Sequence, residues 1–215
     1  MPGFPRVAII IYSMYDHIAK LAEAEKKGIE RAGGQAEIFR VQETLTDEVL
    51  QKMNVPKDRM LKTRGYEVAD ALTLERYDAY LFGIQTRFGN MPAQWKVFWD
   101  HTGKQWARRT LARKFAGVFV STNGLGGGQE ETGYTLMTTL VHHGIVFVPF
   151  GYAHAFEDLT NIEEVHGGGS PWGAGVVAGS DGSRNPSQLE ITIAEKQGAA
   201  FWELVSRVDF TKDEK

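Results

Sequence analysis

The sequence predicts an α/β fold, an open parallel five-stranded sheet with helices on both faces. Three observations predict it. Short unbroken apolar runs rich in β-branched residues read as strands covered on both sides. Stretches with apolar residues at helical spacing separate them. The polar and glycine-rich segments fall after the first, third and fourth runs, where such folds hold ligands beyond the carboxyl ends of their strands.

The first run is "VAIII", at residues 7–11. From Ile18 to Ala32 the apolar residues Ile18, Leu21, Ala22 and Ile29 share a helical face, and Gly33-Gly34 supplies the stop. "AEIFRV" (36–41) is the second strand. Residues 42–73 mix charge, Pro56 and short amphipathic pieces, and read as an insertion with a short helix. "DAYLFGI" (78–84) is the third strand. "AQWKVFWDHTG" is helical, with Trp95, Phe98 and Trp99 on one face. "KFAGVFVS" (114–121) is the fourth strand, 130–143 a helix, and "GIVFVPF" (144–150) the fifth strand. A glycine-rich loop follows, then a last helix from about Ser187 to Val208. With right-handed crossovers and no internal repeat or linker, one domain over 1–215 is the simplest organisation.

The bulk composition narrows the classes of partner. Net charge is −3 and the sequence pI about 6.1, so no basic face for nucleic acid is expected. The longest apolar run, Val7 to Tyr12, is too short for a transmembrane segment, and no secretory signal opens the chain. Cysteine is absent, which excludes disulfides, thiolate zinc sites and cysteine nucleophiles. A cytoplasmic location is the expectation, and no metal site is expected. Glycines cluster at 124–128, 167–169 and 173–182, which suggests backbone packed against a ligand or neighbour.

Three loops carry the functional signal. In "SMYDHI" (13–18), Ser13 and His17 offer side-chain donors beside the unpaired N–H groups of a helix start, an anion site. The plainer reading makes Ser13 a helix cap. In "TRFGN", Thr86, Arg87, Phe88, Gly89 and Asn90 combine a cation, an aromatic and a flexible backbone against which a flat heterocycle could lie. The plainer reading is a surface turn with Arg87 in an ion pair. In "STNGLGGG", Ser121, Thr122 and Asn123 precede Gly124, Gly126, Gly127 and Gly128, where main chain can approach a ligand closely. Together the three would converge on one crevice.

"SMYDHI", "TRFGNM", "STNGLGGGQE", "HHG" and "GSPWGAG…AGSDGSRNPS", in this order over roughly residues 6–205, resemble the WrbA family of flavodoxin-like NAD(P)H:quinone oxidoreductases. "AEAEKKGIE", "MPAQW" and "EVHGG" look most like its fungal branch, which includes mould minor allergens. The resemblance implies a flavodoxin-like sheet of order 2-1-3-4-5. It also implies bound FMN, NAD(P)H as co-substrate, two-electron ping-pong reduction of quinones to hydroquinones, and a homotetramer. It carries the phosphate loop onto Ser13, Met14, Tyr15, Asp16, His17 and Ile18. The flavin loops fall on Thr86, Arg87, Phe88, Gly89 and Asn90, and on Ser121, Thr122, Asn123, Gly124, Gly126 and Gly127. His143 would border the flavin, Trp106 would cover the substrate, and Tyr15 would touch the nicotinamide donor. Read without the resemblance, His143 near a helix end and Trp106 fit structural roles as well.

This chain departs from the family pattern in each loop. Asp16 stands where the first loop usually has glycine, Gln85 where the second has proline, and Asn123-Gly124 replaces Gly-Thr. "VHGGGSP" carries an extra glycine in 167–169. A carboxylate about 4 Å from a phosphate charge costs about 1 kcal/mol in water and about 4 kcal/mol at an effective dielectric of about 20. A second reading therefore stays open: a flavodoxin-like protein without FMN that binds or transforms an aromatic, quinone-like metabolite by redox-neutral acid–base chemistry. A third is a non-catalytic, stress-associated interaction protein.

Overall fold

The computed structural model describes residues 4–56, 63, 65–165 and 169–210. The first strand, β1 (Val7–Tyr12), is buried along its whole length. Its side chains alternate between two cores. Val7, Ile9 and Ile11 join one, and Ala8, Ile10 and Tyr12 join the other. That is why the run is apolar at every position: period-two alternation points it into two apolar layers.

Helix α1 (His17–Arg31) follows, and β2 (Ala36–Arg40) pairs parallel with β1, with Val7 opposite Ala36. The insertion contributes α2 (Asp47–Lys52), capped where the Thr46 hydroxyl accepts from the Val49 N–H. It also contributes a two-residue edge strand, β3 (Glu67–Val68), beside β2, and α3 (Ala71–Arg76), opened by an Asp70–Thr73 capping box. Much of residues 57–64 in that insertion lies outside the described residues, as do Gly167 and Gly168 of the 167–169 glycine run.

The centre of the sheet is β4 (Ala79–Gln85) and β5 (Phe115–Thr122), parallel to β1 and to each other. Between them run α4 (Ala93–Asp100) and α5 (Gly103–Arg108). Trp95, Phe98 and Trp99 of α4 are buried together against Phe82 of β4. Ring centroids of Phe82 stand 5.6 Å from Trp95 and 5.4 Å from Trp99, both edge-on. Helix α6 (Gln129–His143) then leads to β6 (Val146–Phe147).

Here the sheet differs from the five strands expected. Its order is β3-β2-β1-β4-β5-β6, and a seventh strand, β7 (Gly175–Val177), also pairs with β5. The five expected strands keep the order 2-1-3-4-5, and β3 and β7 are additional. The fifth strand is shorter than expected because it is split. β6 covers Phe115 and Ala116 at the start of β5, and β7 covers Val120 to Thr122 at its end. The Val146 and Val148 N–H groups donate to the Lys114 and Ala116 carbonyls, both at 2.8 Å, and the ladder stops before the next β5 carbonyl, that of Val118. The gap is bridged by Gln197, whose amide donates to the Val118 carbonyl at 3.0 Å and accepts from the Ala174 N–H at 2.7 Å. The last helix, α8 (Gln188–Val205), follows a four-residue turn of helix, α7 (Phe156–Leu159), and the β7 segment.

Helices α1 and α8 cover one face, and α4 and α6 the other. Gly28 and Gly198 let the first pair touch backbone to backbone. A Cβ on Gly28 would sit 2.0 Å from the Glu195 carbonyl oxygen, and one on Gly198 would sit 2.1 Å from that of Glu25.

Candidate active site

Beyond the carboxyl ends of β1, β4, β5 and β7 lies a crevice of about 620 Å³. Ser13, Tyr15, His17 and Ile18 line it from the first loop, Thr86, Arg87 and Phe88 from the second, and Ser121, Thr122, Asn123 and Gly127 from the third. The three loops thus converge as the sequence suggested. Two further segments enter. Met53 and Asn54 come from the insertion, which the sequence reading did not assign to the site, and Ala178 to Gly182 from the glycine cluster after β7, for which it left a ligand or a neighbour open. Gln85, at the end of β4, also lines it.

The first loop is a turn that ends in helix α1. The Ser13 hydroxyl accepts from the Ala19 N–H at 3.3 Å, so it caps the helix and faces the crevice at once. The Met14 N–H donates to the Gln85 side-chain oxygen at 3.2 Å, so the residue that replaces the family's proline ties the first loop to the second. Met14 itself turns beneath the loop, toward a cavity of about 40 Å³ that also touches Tyr12, Arg40 and Glu43, room for water only. There the Tyr12 hydroxyl donates to Glu43 at 2.7 Å, and burial with that carboxylate holds it neutral.

Asp16 resolves the oddity of an acid in this turn. Its φ is 72°, the left-handed region where glycine is usual and Asp is tolerated. Its side chain does not line the crevice. It is buried, with Oδ2 3.7 Å from Lys20 Nζ and Oδ1 without a hydrogen-bond partner. Lys20 also donates to Asn185 at 2.7 Å. The helix start therefore faces the crevice with Ser13 and His17, and the carboxylate is turned to a cation on the next turn.

The second loop is a two-residue hairpin. Arg87 and Asn90 exchange backbone hydrogen bonds of 2.7 and 3.1 Å, and Phe88 and Gly89 between them have φ of 56° and 74°. Phe88 is 99% exposed at the crevice rim, so its ring is presented on the crevice side without packing of its own. Gly89 and Asn90 shape the turn but do not line the crevice. The third loop closes on the Gly124 carbonyl, which accepts from the Thr122 hydroxyl at 3.0 Å and the Gln129 amide at 3.3 Å. Gly124 and Gly126 lie in this turn outside the lining. At Gly128, φ is 95° and a Cβ would come within 2.9 Å of the Gly89 Cα, so glycine there lets the second and third loops touch.

His143 and Trp106 are not in the crevice of the single chain. His143 is the last residue of α6, whose start borders the crevice; fifteen residues at 1.5 Å each put it about 22 Å away. Its Nε2 is 3.0 Å from the Thr102 hydroxyl, its ring packs 5.5 Å from Trp99, and Nδ1 has no hydrogen-bond partner. Burial, and then His142, lower its pKa. Trp106 is one helical turn beyond Thr102 and 58% exposed. Both residues thus adjoin Thr102, outside the crevice lining.

The Flavodoxin family pattern matches residues 9–144. NAD(P)H quinone oxidoreductase PST3 of Candida albicans is 60% identical over 203 residues, 94% of this chain and 99% of that protein. Protoplast secreted protein 2 of Saccharomyces cerevisiae is 58% identical over 204 residues, 94% and 99% of the two chains. Minor allergen Alt a 7 of Alternaria alternata is 56% identical over 204 residues, 94% and 98%. Among solved structures, a WrbA-like flavodoxin from Agrobacterium tumefaciens shares the fold at a TM-score of 0.59 and 20% identity, over 94% of this chain and 98% of that one. On the order of its strands, the three loops above them and these relatives, the chain belongs to the flavodoxin family, with these fungal proteins among its relatives.

Proposed function

We propose that this protein is an FMN-dependent NAD(P)H:quinone oxidoreductase whose donor and quinone use one slot in turn. The observation that carries the proposal is the convergence of all three loops on one 620 Å³ crevice, in a chain 60% identical to a protein named for that activity. The residues present suit the cofactor. The start of α1 supplies backbone N–H groups and the Ser13 hydroxyl for a phosphate. The hairpin at Thr86–Phe88 and the turn at Ser121–Gly127 supply a narrow wall of backbone and a ring for a planar heterocycle. A bound flavin would supply hydride transfer there, and the protein supplies position and electrostatics.

The redox-neutral reading drew on Tyr15, Asp16, His17 and His143 as acids and bases. Tyr15 and His17 line the crevice, whereas Asp16 and His143 do not, so the four are not assembled in the single chain. If His143 and Trp106 act on the substrate, they do so from a neighbouring copy, and the tetramer expected from the family would then complete the site. The exposed Trp106 and the open position of Phe88 support this arrangement.

The test is a visible absorption spectrum with an FMN titration, followed by quinone-dependent NAD(P)H oxidation. A colourless protein that takes up no FMN ends the proposal. For the second part, Trp106→Ala and His143→Ala are measured with sedimentation. Quinone turnover at the wild-type rate in both, or a 24 kDa species alone at micromolar concentration, removes the shared site.

A further inference from the structure

We propose that Asp181 makes this site discriminate against the 2′-phosphorylated nicotinamide donor, so that NADH is used in preference to NADPH. This rests on the reading of the crevice as a nicotinamide-dependent reductase site. Among the described residues that line it, Asp181 is the one acid and Arg87 the one arginine.

Asp181 is an exposed group held in a fixed place. Its Oδ1 accepts from the Ser183 N–H at 3.0 Å and from the Ser183 hydroxyl at 2.8 Å. Those two bonds hold the carboxyl below its ordinary range, so it is ionised wherever the enzyme works. The turn that carries it is closed by the Gly182 N–H on the Gly179 carbonyl at 3.1 Å and the Arg184 N–H on the Ala178 carbonyl at 3.0 Å. Behind it stands a half-buried ion pair. Arg184 Nη1 donates to the Val177 carbonyl at 2.6 Å and to both oxygens of the fully buried Glu190, at 2.9 and 2.8 Å. Glu190 also accepts from the Val177 and Ser187 N–H groups. The Arg184 carbonyl accepts from His17 Nε2–H at 2.8 Å, which ties this segment to the first loop. A fixed, ionised carboxylate on the crevice rim is the result.

The two donors share every group except the phosphate on the adenosine ribose. Repulsion between Asp181 and their common pyrophosphate cancels in the ratio of their rates. A ribose hydroxyl can donate to a carboxylate, whereas a dianionic phosphate in its place is repelled. Arg87 would act in the opposite sense. The donor ratio therefore reads which of these two crevice charges the ribose phosphate meets.

The experiment compares FMN-loaded wild type with Asp181→Asn, which keeps an oxygen for the Ser183 bonds, and with Asp181→Ser as a second variant. The specificity constant for each donor is measured at saturating quinone, at low and at high salt. Binding of adenosine 2′,5′-bisphosphate against AMP is read by calorimetry. The wild type is expected to favour NADH, by a ratio that shrinks as salt rises. The variants should narrow that ratio about three- to tenfold, chiefly through the KM for NADPH, and lose its salt dependence. The bisphosphate should bind the variants more tightly relative to AMP. Wild type that uses NADPH equally well overturns the proposal. So do variants with the wild-type ratio and salt slope. Absence of turnover with both donors in FMN-loaded protein overturns the reductase reading and this proposal with it, which is distinct from turnover at an unchanged ratio.

Discussion

Replacing Lys20 by methionine should weaken FMN binding, although Lys20 does not line the crevice. Its ammonium stands 3.7 Å from Asp16 Oδ2 at the first turn of α1. With the pair intact, the field at the helix start is close to that of a neutral turn. Without Lys20, a bare carboxylate sits beside the place where a phosphate binds. Two unit charges about 8 Å apart interact by about 2 kcal/mol at an effective dielectric of about 20. Screening at the edge of the protein reduces this to about 1–2 kcal/mol, which is about five- to thirtyfold in Kd. Asp16→Asn should act in the opposite direction by a similar factor, since Asn holds the left-handed backbone at least as readily. The double variant, Asp16→Asn with Lys20→Met, removes both charges and should return to within about threefold of wild type. Flavin fluorescence quenching gives the four dissociation constants, and a repeat in high salt should shrink the single-variant effects. If both single variants bind FMN within twofold of wild type, the turn does not feel this ion pair, and the account of how an acid is tolerated there is wrong.

Two predictions concern the scaffold. Gly28→Ala adds a Cβ 2.0 Å from the Glu195 carbonyl oxygen, so α1 and α8 must separate by about 1.4 Å to reach ordinary contact. The helical gain of about 1 kcal/mol is outweighed by overpacking. A net loss of about 2 kcal/mol, or a Tm lower by about 4–8 °C, is expected by calorimetry, and a rise in Tm would show that the helices can slide apart freely. Glu25 is fully buried, neither carboxyl oxygen has a hydrogen-bond partner, and burial raises its pKa well above the ordinary 4.5. As pH rises past that unfolded value, the unfolded chain releases this proton and the folded chain keeps it. Stability from this group therefore falls with pH up to the folded value. Glu25→Gln should flatten that slope in denaturation profiles from pH 5 upward, and superimposable slopes would mean the carboxyl is already ionised in the fold.

The strands were legible because double-sided burial writes itself as unbroken apolar runs, and β1, β4 and β5 lie where those runs do. The helices at 17–31, 129–143 and 188–205 were legible from spacing and from the glycines or caps at their ends. The split of the fifth strand was not. "GIVFVPF" has strand chemistry throughout, and only the Gln197 bridge and the return at Gly175–Val177 decide that two short pieces share β5. The same holds for the site. Loops directly after strands were found because their place follows from topology. Ala178–Gly182 and Met53–Asn54 enter from stretches without periodicity, brought in by contacts such as His17 to the Arg184 carbonyl and the Tyr15 hydroxyl to the Met53 carbonyl at 2.8 Å. The direction of the Asp16 side chain rests on one backbone angle and one partner, neither of which is encoded in a motif.

The glycine-to-backbone seam between α1 and α8 sets an order of events during synthesis. The partners are residues 17–31 and 188–205, so the seam closes a loop of more than about 150 residues, and it closes late. Until then Val7, Ile9 and Ile11 have no complete roof, and the nascent chain shows water an oily strip along the middle of its sheet. A ribosome paused anywhere before α8 would display that strip to chaperones, and the emergence of α8 would be the step that covers it.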